Sequence, residues 1–223
     1  MYMKEEVIDL SMEIYDGLTG SISEVKIMQE MTREWSGKHF KEPCKGWESR
    51  NIIISEHCGT HVDAPYHFVP DTLTIDQVPL NKFIGEAVLL DLRGIQKTNQ
   101  PTERTHIIMC CEKTGVQINQ GDIVILFSEQ NTRGLTNEAV DWLIEKKIKA
   151  VGTNIFIEED RVENGLKVRY AHTSFLSHGI PIFEDLINLD KIHKKRFTFI
   201  GLPLKIRKGT GSPIRAVALL KND

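Results

Sequence analysis

Asp122-Ile123-Val124-Ile125-Leu126-Phe127 sets the architecture: after a single acid, every position is apolar. A strand with one wet face alternates apolar and polar side chains. A run that is apolar throughout has both faces covered, as in the interior of a sheet packed on two sides. Residues 150–152 read the same way, and residues 87–92 nearly so. Shorter apolar runs at residues 7–10, 51–55, 107–111, 197–201 and 214–220 extend the set of predicted strands. Helical signals are fewer. Thr136 is an N-cap, followed by Val140, Leu143, Ile144 and Ile148 at helical spacing, with Glu138, Glu145 and Lys146 polar. A second, shorter helix is predicted near residues 181–186. The expected fold class is therefore α/β. We expect a single domain over residues 1–223, with a mixed, largely buried β-sheet flanked by few helices.

Residues 20–50 lack any sustained period. Met28, Met31, Trp35, Phe40 and Trp47 are scattered there among charges. The segment reads as an arm on a neighbouring subunit, as a cover over a pocket, or as an ordinary surface excursion.

Composition narrows the function classes. A chain of 223 residues can bury a sizeable core without cross-links. A formal net charge of -3 gives no basic field, so nucleic-acid and anionic-membrane binding are not expected. No stretch reaches the ~18 apolar residues a membrane helix requires. The opening Met1-Tyr2-Met3-Lys4-Glu5-Glu6-Val7 does not read as a secretory signal. The expected location is cytoplasmic. Cys44, Cys58, Cys110 and Cys111 form no C-x-x-C pair, which argues for free thiols rather than a zinc ribbon.

The chemistry concentrates in His57-Cys58-Gly59-Thr60-His61-Val62-Asp63-Ala64-Pro65-Tyr66-His67. His57, His61, Asp63 and His67 share one parity, so an extended chain would turn all four the same way. Gly59, Pro65 and the β-branched Thr60 and Val62 argue against a helix. A straight strand, however, would set His57 and His61 roughly 13 Å apart. Two imidazoles on one ion need nitrogens about 2.1 Å from it. The chain must therefore bend, and Gly59 is the residue able to bend it. Such a cluster of histidines around an acid reads as a divalent-metal site rather than as surface-loop histidines.

The motif His57-x-Gly59-Thr60-His61-x-Asp63-x-Pro65-x-His67 resembles that of the cyclase-like metal-dependent hydrolases, which include bacterial kynurenine formamidases and isatin hydrolases. The resemblance extends to Asp9-Leu10-Ser11, Ile75–Leu80, Ala171-His172 with Glu184, Pro203-Leu204-Lys205 and Gly211-Ser212-Pro213-Ile214-Arg215-Ala216. It implies that His57, His61 and Asp63 hold a catalytic ion. It further implies that His172 and Glu184 hold a second ion bridged by Asp63, and that His67 transfers protons. The ion would be Zn or Mn, one or two per subunit. The implied activity is hydrolysis of an amide (an aryl formamide or cyclic amide) in a small molecule by a metal-activated water. A lactone or cyclic-ester hydrolase, or a metal-stabilised binding protein without turnover, are the alternatives. A homodimer or homotetramer is implied as well.

Some positions stay open. His178 rivals His172 as a ligand, while His39, His106 and His193 read as structural or surface. Many relatives carry an aspartate where this chain has Asn154. The run Glu158-Glu159-Asp160 reads as a solvated acidic loop or as compensation for that loss. Trp35, Trp47 and Phe68 are pocket candidates. Ser212 and Arg215 either touch substrate or hold the fold.

Overall fold

The structure is a computed structural model that describes residues 5–20, 23–159 and 161–221. Residues 1–4, the start of the opening segment read above as no leader, lie outside the described residues, as does Asp160. In chain order the elements are β1 (Glu6–Asp9), β2 (Lys26–Met31), α1 (Arg33–Gly37), β3 (Ser49–Ile53), β4 (His61–Asp63), β5 (Ile84–Asp91), α2 (Arg104–Thr114), β6 (Ile123–Phe127) and α3 (Asn137–Glu145). They continue as β7 (Ala150–Thr153), β8 (Val162–Glu163), β9 (Leu166–Lys167), α4 (Tyr170–Ser177), β10 (Ile182–Glu184), β11 (Arg196–Ile200), β12 (Gly211–Pro213) and β13 (Val217–Leu220).

Nine strands form one mixed sheet in the order β1-β13-β11-β5-β6-β7-β10-β4-β12. β5, β6, β7 and β10 run parallel at its centre. Antiparallel strands flank them on both sides. β6 shows why its sequence carries no polar alternation. Ile123 and Ile125 enter one hydrophobic cluster, while Val124 and Leu126 enter the other, on the opposite face. Residues of α2, α3 and α4 pack into the second cluster. The first cluster is enclosed by the sheet together with residues outside it, among them Ile75, Val78, Leu189 and Ile192. Phe183 on β10 and Phe199 on β11 meet with ring centroids 4.7 Å apart, although β7, β6 and β5 lie between their strands. The sheet must curl strongly to bring them together.

Thr136 caps α3 as expected, its hydroxyl accepting from the Ala139 amide. Two readings are corrected. Residues 107–111 lie in α2, not in a strand. Only Ile107 and Cys110 of that run are buried, at the i, i+3 spacing of a helix face, while Met109 is exposed. Side-chain chemistry also marks the helix start, where His106 Nδ1 accepts from the Glu103 amide. Residues 181–186 contain β10 rather than a helix. Ile182 and Phe183 enter opposite core clusters, which only a period of two allows.

Around residues 26–53, β2 and β3 pair as a separate antiparallel ribbon, with α1 between them in the chain. Trp35, Phe40 and Trp47 are exposed there.

Candidate metal centre

Six side chains singled out in the sequence meet at one end of the sheet. His61 and Asp63 lie two apart on β4 and share a face. Gly59 has φ +61, the left-handed turn that the reach argument requires. That turn places His57 outside the strand, and His67 sits in a short 3-10 turn, Pro65–His67. Common parity therefore aligns only His61 and Asp63. Tertiary folding brings the others in: His172 from α4 and Glu184 from β10, whose neighbour in the sheet is β4.

Asp63 is the hub. His57 Nδ1 lies 2.7 Å and His61 Nε2 3.5 Å from its Oδ1. His172 Nε2 lies 3.4 Å from Oδ2. Glu184 faces the same two histidines, with Oε2 3.6 Å from His61 Nε2 and Oε1 3.8 Å from His172 Nε2. The donor atoms of His57, His61 and Asp63 lie within 4.8 Å of one another, and so do those of Asp63, His172 and Glu184. Asp63 is fully buried, and its Oδ2 has no hydrogen-bond partner.

The far nitrogen of each imidazole decides what the near one can do. His61 Nδ1 is 2.7 Å from the Gly59 carbonyl, which can only accept, so Nδ1 carries the proton. His172 Nδ1 is 2.9 Å from the Glu158 carboxylate and carries one for the same reason. His57 Nε2 is 2.8 Å from Thr210 Oγ1, and that hydroxyl donates its only hydrogen to Glu56 Oε2. Thr210 therefore accepts from His57 Nε2–H. In their neutral forms all three rings aim bare lone pairs at carboxylate oxygens. Acceptor facing acceptor at these distances is repulsive unless a cation lies between them, so the donor set fits a divalent ion. Gly211 leaves the room this requires. A Cβ there would lie 2.5 Å from His57 Cε1.

Without an ion, protons take that place. His172 is pushed up to about 10, because burial is outweighed by Asp63, Glu158 and Glu184 around it. Glu184 is pushed up to about 8 by burial and by the adjacent Asp63. Burial also opposes the Asp63 charge, but the His172, His57 and His61 imidazoles that face it hold that carboxyl far below its usual range. The folded, ion-free protein therefore binds more protons at His172 and Glu184 than the unfolded chain does. The stability they contribute is present below their ordinary values of 6.5 and 4.5, and is lost as pH rises through about 10 and about 8. Tm of ion-stripped protein should fall between pH 6.5 and pH 10. A Tm that rises across that window would contradict this charge arrangement.

His67 differs from the other histidines. Its ring stacks on His57 with centroids 3.8 Å apart, and among the described residues no hydrogen bond holds either ring nitrogen. Burial, helped by His57, His172 and His61 and opposed by Asp63, brings it down to about 4. It is a neutral base at pH 7. The ring opens onto a cleft of about 460 Å³ that also exposes Phe68, Phe156 and Asp185.

The model of the Cyclase family matches residues 8–157, about two thirds of the chain and the whole His57–His67 motif. The chain belongs to the cyclase family. Its relatives in the cyclase family include a kynurenine formamidase of Erythrobacter litoralis, 32% identical over 170 residues, covering 74% of each chain. An isatin hydrolase of Roseibium aggregatum is 27% identical and covers 76% of this chain and 73% of its own. The fold is also that of isatin hydrolase A from Labrenzia aggregata bound to benzyl benzoate. That structure superposes with a TM-score of 0.79 at 23% identity, over 98% of this chain and 94% of the other.

The remaining sequence candidates now have places. Asn154 exchanges two 2.9 Å hydrogen bonds with the Ser128 backbone, one through Oδ1 and one through Nδ2. A carboxylate could not donate the second, so Asn154 serves the β6–β7 edge and not the cluster. His178 caps α4, with Nδ1 2.8 Å from the Ser174 carbonyl, and is no ligand candidate. His39 lies against Trp35 at a tilt, and His193 faces Glu6 on the surface. Ser212 accepts from the Leu204 amide and so holds the fold, while Arg215 pairs with Asp9 at the surface. Of the pocket candidates only Phe68 lines the cleft; Phe156 was missed. Glu158 is not solvated: it is 3% exposed and bonded to His172.

Proposed function

We propose that this protein is a metal-dependent hydrolase that cleaves an amide, an aryl formamide or a cyclic amide, in a small molecule. The observation that carries the reading is three imidazole lone pairs converging on two buried carboxylates, beside a fourth imidazole that is neutral and unbonded. The names of the relatives agree with it.

His57, His61 and Asp63 would hold one divalent ion, Zn or Mn, and Asp63, His172 and Glu184 a second. Such an ion, when bound, supplies Lewis acidity to a carbonyl and lowers the pKa of a water toward ~7. The chain's own groups do the rest. His67 takes a proton at a ring nitrogen on the open cleft and returns it to the leaving nitrogen. An amide needs that return, because an amine departs poorly as an anion. Phe68 and Phe156, both beside the His172 ring, offer apolar walls to an aryl group.

An ester or lactone would meet the same groups but depends less on proton delivery, because an alkoxide leaves more readily. A metal-stabilised binding protein would have no use for a spare base at an open position. The reading includes a cytoplasmic location and assembly as a homodimer or homotetramer. Among the described residues no helix is long and apolar enough to cross a membrane.

The test is a panel of N-formylkynurenine, simple formanilides, isatin and lactones, assayed with Zn- and Mn-loaded protein. Turnover of an amide ahead of every lactone is the expected result. Turnover of lactones alone would move the assignment to esters, and ion binding without any turnover would favour the binding protein.

A further inference from the structure

The two candidate ion positions are backed differently. At the first, His57 leans on a neutral hydroxyl, Thr210, and His61 on a peptide carbonyl. At the second, His172 leans on a full carboxylate that is itself buried, with only 2% of its side chain exposed. Glu158 Oε1 accepts both from the His172 ring at 2.9 Å and from the His172 amide at 2.7 Å. Its Oε2 accepts from the Ala171 amide at 3.2 Å. The first-turn amides of a helix have no partner within the helix, and the N-cap of α4, Arg169, supplies none from its side chain. Glu158 therefore fastens the first turn of α4 and the ring that projects from that turn in one contact.

The segment that carries Glu158 is itself pinned. The Leu135 amide donates to the Ile157 carbonyl at 2.9 Å. Gly134, at φ +68, passes so close to Glu158 that a Cβ would lie 2.1 Å from the Glu158 carbonyl carbon. The preceding amide, that of Ile157, donates to Glu184 Oε1 at 3.3 Å. Residues 157 and 158 thus touch both His172 and Glu184, the two side chains that belong to the second position and not to the first.

We propose that Glu158 is the positioning residue of the second ion. By holding the Nδ1 proton of His172 it turns the Nε2 lone pair toward Asp63 and Glu184, and it decides whether a subunit holds two ions or one. This rests on the metal-site reading above. Carboxylates behind a ligating histidine fix its tautomer and orientation, and their loss lowers metal affinity by roughly 10–100-fold.

The test is titration of ion-stripped protein with Mn²⁺ and separately with Zn²⁺, by calorimetry and elemental analysis, for wild type, E158Q and E158A. Gln keeps an acceptor toward His172 but loses the charge; Ala loses both. Wild type should bind two ions. E158Q should weaken the second by about 10–100-fold and leave the first unchanged, and E158A should hold one. The partial rescue by Gln separates positioning from a general loss of stability, which would weaken both positions with Tm. If E158A does not fold, E158Q alone carries the test. Two ions at wild-type affinity in E158Q, or parallel loss of both, would overturn the proposal and leave the hydrolase reading intact. Wild type that binds one ion would also overturn it. Wild type that binds none would overturn the metal reading and this proposal together.

Discussion

Asp63→Asn should leave a folded protein that no longer retains divalent ions and has lost essentially all turnover. Asp63 is the one side chain common to both candidate positions: Oδ1 faces His57 and His61, and Oδ2 faces His172. An amide of the same shape keeps one acceptor and turns an NH₂ group toward a lone pair that must bind a cation. The loss should exceed the roughly 10–100-fold typical of an outer-shell partner, because a shared anionic ligand is removed. Elemental analysis after gel filtration reads the outcome. Ion content near the wild-type level in the Asn variant would mean that the cations sit elsewhere.

His67→Ala should behave in the opposite way, with ion content kept and turnover reduced by about 10²–10⁴, the range for loss of a general acid–base group. The ring contributes no hydrogen bond to the cluster; it stacks on His57 and meets His172 edge-on, with centroids 6.2 Å apart. Ion content and kcat measured on the same preparation separate the roles. Parallel loss of ion and activity would make His67 a ligand, or a support that His57 cannot lose. Unchanged kcat would remove it from the mechanism.

The central strands were legible because burial on both faces leaves a plain signature, as in Ile123–Phe127. The same signature misleads when apolar residues fill the exposed face of a helix. Ile107, Ile108, Met109, Cys110 and Cys111 conceal an i, i+3 face of only two buried residues. α4 escaped detection because Arg169 gives it no side-chain cap and its cap partner, Glu158, lies outside the helix.

The site divides along a similar line. His57, His61 and Asp63 were visible because one local device, the turn at Gly59, brings them together. His172 and Glu184 come from α4 and β10, and no spacing rule links them to the motif; only the family resemblance marked them. Glu158 was hidden by its neighbours. An acid within Glu158-Glu159-Asp160 looks like part of a solvated run, and only the fold shows its carboxylate buried against His172. Thr210 gave no signal, since a threonine hydroxyl between a glutamate and a histidine is a purely tertiary arrangement.

The central claim is that this cluster makes the protein a metal-dependent amide hydrolase. The most direct measurement is the rate of formanilide and isatin hydrolysis by one preparation as purified, after chelator stripping, and after return of Zn²⁺ or Mn²⁺. The account predicts that stripping abolishes turnover and that the returned ion restores it. Turnover that persists in protein shown by elemental analysis to be free of metal would contradict it.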